Sequence, residues 1–221
     1  MHLFAAIVPP RDILEDLSRA VRSATATDPE PTRRRLFGRR ARTGQGAGDS
    51  GGSAGAVLAA SPELDTPSPA ALYLPITSFG NVTRGDSVKL ADELRAEAAT
   101  WRQPTVSLAG GTALEFPGDE SVWAKLDGDL DALMTIGRGV PLVVQRLGFF
   151  VDRRVFRPWL SVGTITSETT APFLEKVVAE LEGHRSRSWT IEHISLMRRP
   201  LEPDVEIPYE EVEQMPLARG L

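Results

Sequence analysis

The spacing of apolar positions changes from one stretch of the chain to the next, and each spacing predicts an element. Residues 3–8 form a short apolar run that ends at Pro9-Pro10, which reads as a buried strand. Residues 11–24 place Ile13, Leu14, Leu17, Ala20 and Val21 at helical spacing. Asp12, Glu15 and Asp16 in the first turns suit the dipole of that helix. Residues 72–79 read as a strand closed by Gly80-Asn81; Pro75 inside it cannot donate to a ladder and demands an edge or a bulge. A helix follows over 86–101, with Val88, Ala91, Leu94, Ala98 and Trp101 on one side. Strands are predicted at 105–108 and 112–116, separated by a bend or bulge at Gly110-Gly111, and at 122–126 after the turn Pro117-Gly118-Asp119. A helix over 129–136 is expected to break at Gly137, Gly139 and Pro141 and to resume at 142–147. Residues 149–156 read as a loop or strand edge, 159–165 as a strand, and 172–181 as a helix burying Phe173, Leu174, Val177, Val178 and Leu181. Residues 189–197 alternate as one strand, with Ile191, His193 and Ser195 on one face.

Two segments depart from this patterning. Residues 25–70 are rich in Gly, Ser, Ala, Pro and Thr and poor in large apolar side chains, so they are expected to be a disordered insertion. Within it, Arg33, Arg34, Arg35, Arg39, Arg40 and Arg42 put six arginines into ten residues, a cluster able to hold phosphates or to recruit a protein partner. A solvated basic loop, or one paired with the protein's own acidic tail, accounts for it as well. That tail, residues 200–221, has six acidic residues between Glu202 and Glu213 and is expected at the surface. With the insertion set aside, residues 1–24 and 71–199 give an order of strands and helices that implies α+β or α/β.

Composition narrows the function. The chain's 221 residues suit one large domain or two small lobes. A net charge of −5 argues against a general nucleic-acid coat. Absence of cysteine rules out disulfides and thiolate metal sites, and three scattered histidines make a metal centre unexpected. No cofactor is implied. No apolar run reaches membrane-spanning length, and the N-terminal run carries no basic leader or cleavage site, so a cytoplasmic soluble protein is expected. Oligomeric state is left undetermined.

Certain local sequences nonetheless resemble a family. Leu3-Phe4-Ala5-Ala6-Ile7 followed by Pro9, the stretch running into Gly80, and Phe156-Arg157-Pro158-Trp159-Leu160-Ser161 are similar to the 2H phosphoesterase superfamily. The likeness is to its 2′-5′ RNA ligase and RNA 2′,3′-cyclic phosphodiesterase group. It implies a bilobal α+β fold with two antiparallel sheets around a central groove and helices outside. In that family each lobe offers a His-x-Thr/Ser pair. Strand residues two apart share a face, so both pairs surround one phosphate. One histidine takes a proton and the other gives one, while the hydroxyls hold phosphoryl oxygens.

Carried onto this chain, the second motif keeps Phe156, Pro158 and the hydroxyl of Ser161, but Trp159 stands in the histidine seat. In the first, Tyr73 takes the histidine seat and Pro75 the hydroxyl seat; a register shifted by two puts Pro75 and Thr77 there. Histidine serves because it titrates near neutral pH. Indole N–H only donates, and tyrosine, with a reference pKa of about 10, is a poor base. The resemblance therefore implies a degenerate member, a pseudoenzyme that binds RNA or a nucleotide phosphate or has become an interaction module. An enzyme with altered chemistry, using Tyr73, Ser161 and His193, and a scaffold working through the arginine-rich insertion are the alternatives. Candidate ligand-binding residues are Tyr73, Thr77, Arg157, Trp159, Ser161 and His193. Tyr73 and Trp159 either fill the former groove or form a stacking platform for bases.

Overall fold

The computed structural model describes residues 1–25, 63–116, 118–152, 154–200 and 209–219. In chain order these form β1 (His2–Ile7), α1 (Arg11–Thr25), β2 (Leu64–Asp65), a 3-10 turn (Pro69–Ala71), β3 (Leu74–Asn81), α2 (Arg84–Ala98), β4 (Thr105–Phe116), β5 (Asp119–Gly128) and α3 (Leu130–Arg146). They continue with β6 (Trp159–Ile165), α4 (Ala171–Gly183), β7 (Trp189–Thr190), β8 (His193–Arg199) and β9 (Glu210–Pro216). The strands make two antiparallel sheets: sheet A in the order β3-β1-β8-β9 and sheet B in the order β2-β6-β5-β4-β7. The α+β expectation with two sheets is what the structure has.

One core spans both sheets. Leu3, Ala5 and Ile7 of β1 join Leu108, Val122, Ala124, Leu160 and Val162 of sheet B in it. The helices supply the other side, α1 through Ile13, Leu14, Leu17 and Val21, α4 through Leu174, Val177 and Leu181. Each such side chain, fully buried, contributes about 1.5–3 kcal/mol. Alternation along the strands then leaves each sheet a second face, away from this core. On sheet A that face has its own small cluster of Phe4, Ala6, Met197 and Tyr209, with Tyr73 packed against it.

The structure departs from the sequence expectations in five places. Regular structure is present before Ala71: the two-residue strand Leu64–Asp65 pairs with β6, and Leu64 is fully buried. A Cβ on Gly163 would lie 2.7 Å from Leu64 Cγ, so that glycine is what admits the leucine. The acidic tail is not only surface: Glu210–Pro216 is the edge strand of sheet A, anchored by buried Tyr209, Met215 and Leu217. Within the strand only Met215 is buried, and Val212 is exposed like most of the glutamates.

The third departure is α3, which runs unbroken through Gly137, Gly139 and Pro141. The two glycines are packing residues, since a Cβ at Gly137 would lie 2.1 Å from Phe156 Cδ1 and one at Gly139 2.4 Å from Trp101 Cζ2. Finally, 189–197 is two strands, β7 in sheet B and β8 in sheet A, so the chain changes sheets at Ile191-Glu192. Conversely, 105–116 is a single strand, with its bulge at Ala109-Gly110.

Candidate functional site

The second motif runs into β6, which lies between β2 and β5 in sheet B. Phe156 is buried against α3 and fixes the approach to the strand. The carbonyl of Pro158 accepts a hydrogen bond from the amide of Leu126, at 2.9 Å, which starts the pairing with β5. Leu160 and Val162 then enter the core, and Trp159 and Ser161 share the opposite face. Across the ladder, Trp159 pairs with Lys125 and Ser161 with Trp123. Trp123 and Lys125 follow the same logic on β5, where Val122, Ala124 and Leu126 take the core side.

These side chains make a wall rich in hydrogen-bond donors. The Trp123 and Trp159 rings lie 6.5 Å apart at 53°. The Arg157 guanidinium lies 5.0 Å from the Trp159 centroid, and the Lys125 ammonium 6.0 Å from it. Arg157 also pairs with Asp119 at 3.1 Å. Lys125 has no carboxylate partner, and Ser161 no hydrogen-bond partner, among the described residues. The indole N–H of Trp123 is buried and makes no hydrogen bond among the described residues. A buried donor left unpaired costs about 1–3 kcal/mol, so such a group in a native fold calls for a partner such as water or an ion.

The strand of the first motif, β3, is in contact with β6. The loop before β6 is also tied to β3: Ser78 O accepts from the Asp152 amide at 3.1 Å, and Thr77 Oγ1 donates to Asp152 O at 3.4 Å. No family model matches this sequence, and no curated protein does. Solved structures do. TT0787 of Thermus thermophilus matches with a TM-score of 0.64 at 15% identity, over 98% of this chain and 98% of that one. LigT of E. coli, solved in complex with 3′-AMP, matches with a TM-score of 0.63 at 14% identity, over 98% and 97%. A structure described as a phosphoesterase matches with a TM-score of 0.60 at 16% identity, over 98% of each chain. The fold is the 2H phosphoesterase fold.

Within the 2H phosphoesterase fold, the first motif of this chain is closed by aromatic packing. Tyr73 sits just before β3, with its ring 5.2 Å from Phe4 and 5.1 Å from Tyr209, edge-on to the latter. Tyr209 donates from its hydroxyl to Ala70 O at 2.6 Å. Burial, reinforced by Tyr73, pushes the Tyr209 phenol well above its ordinary pKa. Pro75 is exposed on β3, an edge strand, where its missing N–H does no harm. Thr77 does not share its face. A bulge at Ile76 sets Pro75 opposite Ala6 but Thr77 opposite Ala5, turning Thr77 into the core side. Of the two registers weighed for this motif, Tyr73 with Pro75 is therefore the one on the outer face, and Thr77 is a tie to the Asp152 loop.

The remaining candidates are dispersed. His193 is on the outer face of β8, beside Tyr209, which stands between it and Tyr73. Tyr73 and His193 thus belong to sheet A, and Ser161 to sheet B. The structure brings together Trp159, Ser161 and Arg157, and separately Tyr73 and, through Tyr209, His193. Arg33, Arg34, Arg35, Arg39, Arg40 and Arg42 lie outside the described residues. Sequence reasoning missed Trp123, Lys125 and Asp119. The available signal was the alternation of β5: a tryptophan and a lysine on the side of a strand that leaves the core.

Proposed function

We propose that this protein binds the phosphate of an RNA or nucleotide on the outer face of sheet B and does not turn it over. The observation that carries the reading is the unpartnered donor set of Ser161, Trp123 and Lys125 beside Trp159. A hydroxyl, an indole N–H and an ammonium, none with a hydrogen-bond partner among the described residues, suit an oxyanion. Trp159 offers an aromatic face for a base or ribose, and Arg157 supplies further positive charge. LigT, which has the same fold, has been solved with 3′-AMP, with ATP, with NADP+ and with phosphate.

Turnover needs a group that accepts a proton and another that returns one. On the wall, Trp159 and Trp123 only donate, and Lys125 and Arg157 are cations. On the other lobe, Tyr73 is packed between Phe4 and Tyr209. The test is a titration with 3′-AMP and with inorganic phosphate, read by tryptophan fluorescence. Both ligands are expected to change the emission saturably. Ser161→Ala and Lys125→Ala should each weaken binding by about 1–3 kcal/mol, the cost of removing one hydrogen bond to a charged group. Affinity unchanged in both variants, or no saturable response to either ligand, would overturn the proposal.

A further inference from the structure

The outer face of sheet A carries a cleft of about 350 Å³ over β8 and β9. Its floor is formed by Val8, Met197 and Tyr209, and its rim by His193, Glu211 and Gln214. We propose that this cleft is a second binding site, for a small planar organic cation: an amidinium or guanidinium group on an apolar body. The site is distinct from the donor wall of sheet B and has the opposite polarity.

Three observations lead to the cation. The first is Glu211. Its neighbours on β9 are neutralised, Glu210 by Arg198 and Glu213 by Arg95. Glu211 has no cationic partner among the described residues. It is held instead by two neutral donors, Ser195 Oγ at 2.5 Å and Gln214 Nε2 at 3.0 Å. Ser195 is fully buried, so the first of these bonds fixes the carboxylate from within the fold. A carboxylate has about four lone-pair sites, and two donors leave the rest open.

The second observation is the rest of the rim. Gln214 gives its N–H to Glu211 and keeps its Oε1 as an acceptor. His193 has no hydrogen-bond partner among the described residues, and a neutral imidazole offers one acceptor nitrogen. Among the described residues, no lysine or arginine lines the cleft. The rim is therefore rich in acceptors and carries net negative charge, which disfavours a phosphate.

The third observation is the floor. A tyrosine ring and a thioether suit a flat, cationic, partly apolar guest through cation–π and sulfur contacts. A planar fork of N–H donors matches a fixed carboxylate better than a point-charge ammonium does. The volume falls in the range of small-ligand pockets, at its lower end.

The test uses the full chain, with benzamidine as probe and benzamide as its neutral counterpart. Binding is followed by the NMR signal of the Met197 methyl group, assigned with Met197→Leu. Benzamidine is expected to shift that signal saturably, and benzamide to bind at least about tenfold more weakly. Glu211→Gln should weaken benzamidine by at least about tenfold, while the fluorescence response to phosphate stays as in the unaltered protein. Glu211 is exposed, so the substitution is expected to leave the fold intact; Gln214→Leu, also exposed, gives a second reading and should weaken binding several-fold. The proposal is overturned if benzamide binds as tightly as benzamidine, if both variants bind benzamidine unchanged, or if Met197 shows no saturable shift.

Discussion

Trp159 faces Lys125 across the β5–β6 ladder, and Ser161 faces Trp123. Those two pairings decide what the second motif can do. A strand presents the same two positions to the same face whatever side chains they bear, so a tryptophan in such a position leaves the strand intact and sets only its chemistry. Restoring one residue is accordingly not enough: Trp159→His is expected to fold normally and to show no turnover of a 2′,3′-cyclic nucleotide, because Tyr73 and Pro75 still supply no second histidine. Measurable turnover in that single variant would contradict the reading. A packing prediction belongs to the same scale. Gly137→Ala sets a methyl group 2.1 Å from Phe156 Cδ1 and should cost about 1–3 kcal/mol, read as a lower midpoint in thermal unfolding. Trp159, Ser161 and Arg157 were legible from the motif frame. Trp123 and Lys125 were not, because they lie on a strand without a motif, and their importance comes only from which strand pairs with which.

Among the elements, β9 changes the picture most. Its sequence is dominated by glutamate, a composition that reads as a solvated tail, yet alternate residues on an edge strand need no burial and tolerate charge. Tyr209, at its start, closes the aromatic cluster over Phe4 and Tyr73. That cluster gives a pH signature. The Tyr209 phenol has a raised pKa in the folded state. Its contribution is fully present below the unfolded tyrosine pKa, about 10, and is lost as pH rises toward the folded value. Stability in urea should therefore fall above about pH 10, and Tyr209→Phe should reduce that slope. The same variant loses the bond to Ala70 O and should cost about 1 kcal/mol at neutral pH.

Other elements show why local pattern ran out. Gly137 and Gly139 look like helix breakers until their neighbours, Phe156 and Trp101, are known. Residues 189–197 keep one alternation through a change of sheet, so period alone could not reveal the break at Ile191-Glu192. Leu64 was lost in a stretch of low apolar content, and only Gly163 on a distant strand explains its burial.

At the scale of the whole molecule, the likeness is one of fold. Identities of 14–16% accompany TM-scores of 0.60–0.64 over nearly the full length of each chain, so the architecture survives extensive change in sequence. The order of elements and the two motif frames made this architecture readable from sequence. The pairing of β8 with β1 was not readable, since it joins segments far apart in the chain, and its pairing with β9 was hidden by the acidic composition of that segment. What the fold presents is asymmetric. Sheet B offers donors around Ser161, and sheet A offers acceptors around Glu211 above a packed aromatic cluster. The donor wall of sheet B holds no histidine or carboxylate at Trp159, Ser161, Trp123 or Lys125, while His193 and Glu211 lie together on the cleft of sheet A. The most direct test is hydrolysis of 2′,3′-cyclic AMP by the full chain in the presence of a chelator, with Ser161→Ala alongside. The account predicts no product above the protein-free control from either protein. Sustained turnover by the unaltered chain, abolished by Ser161→Ala, would contradict it.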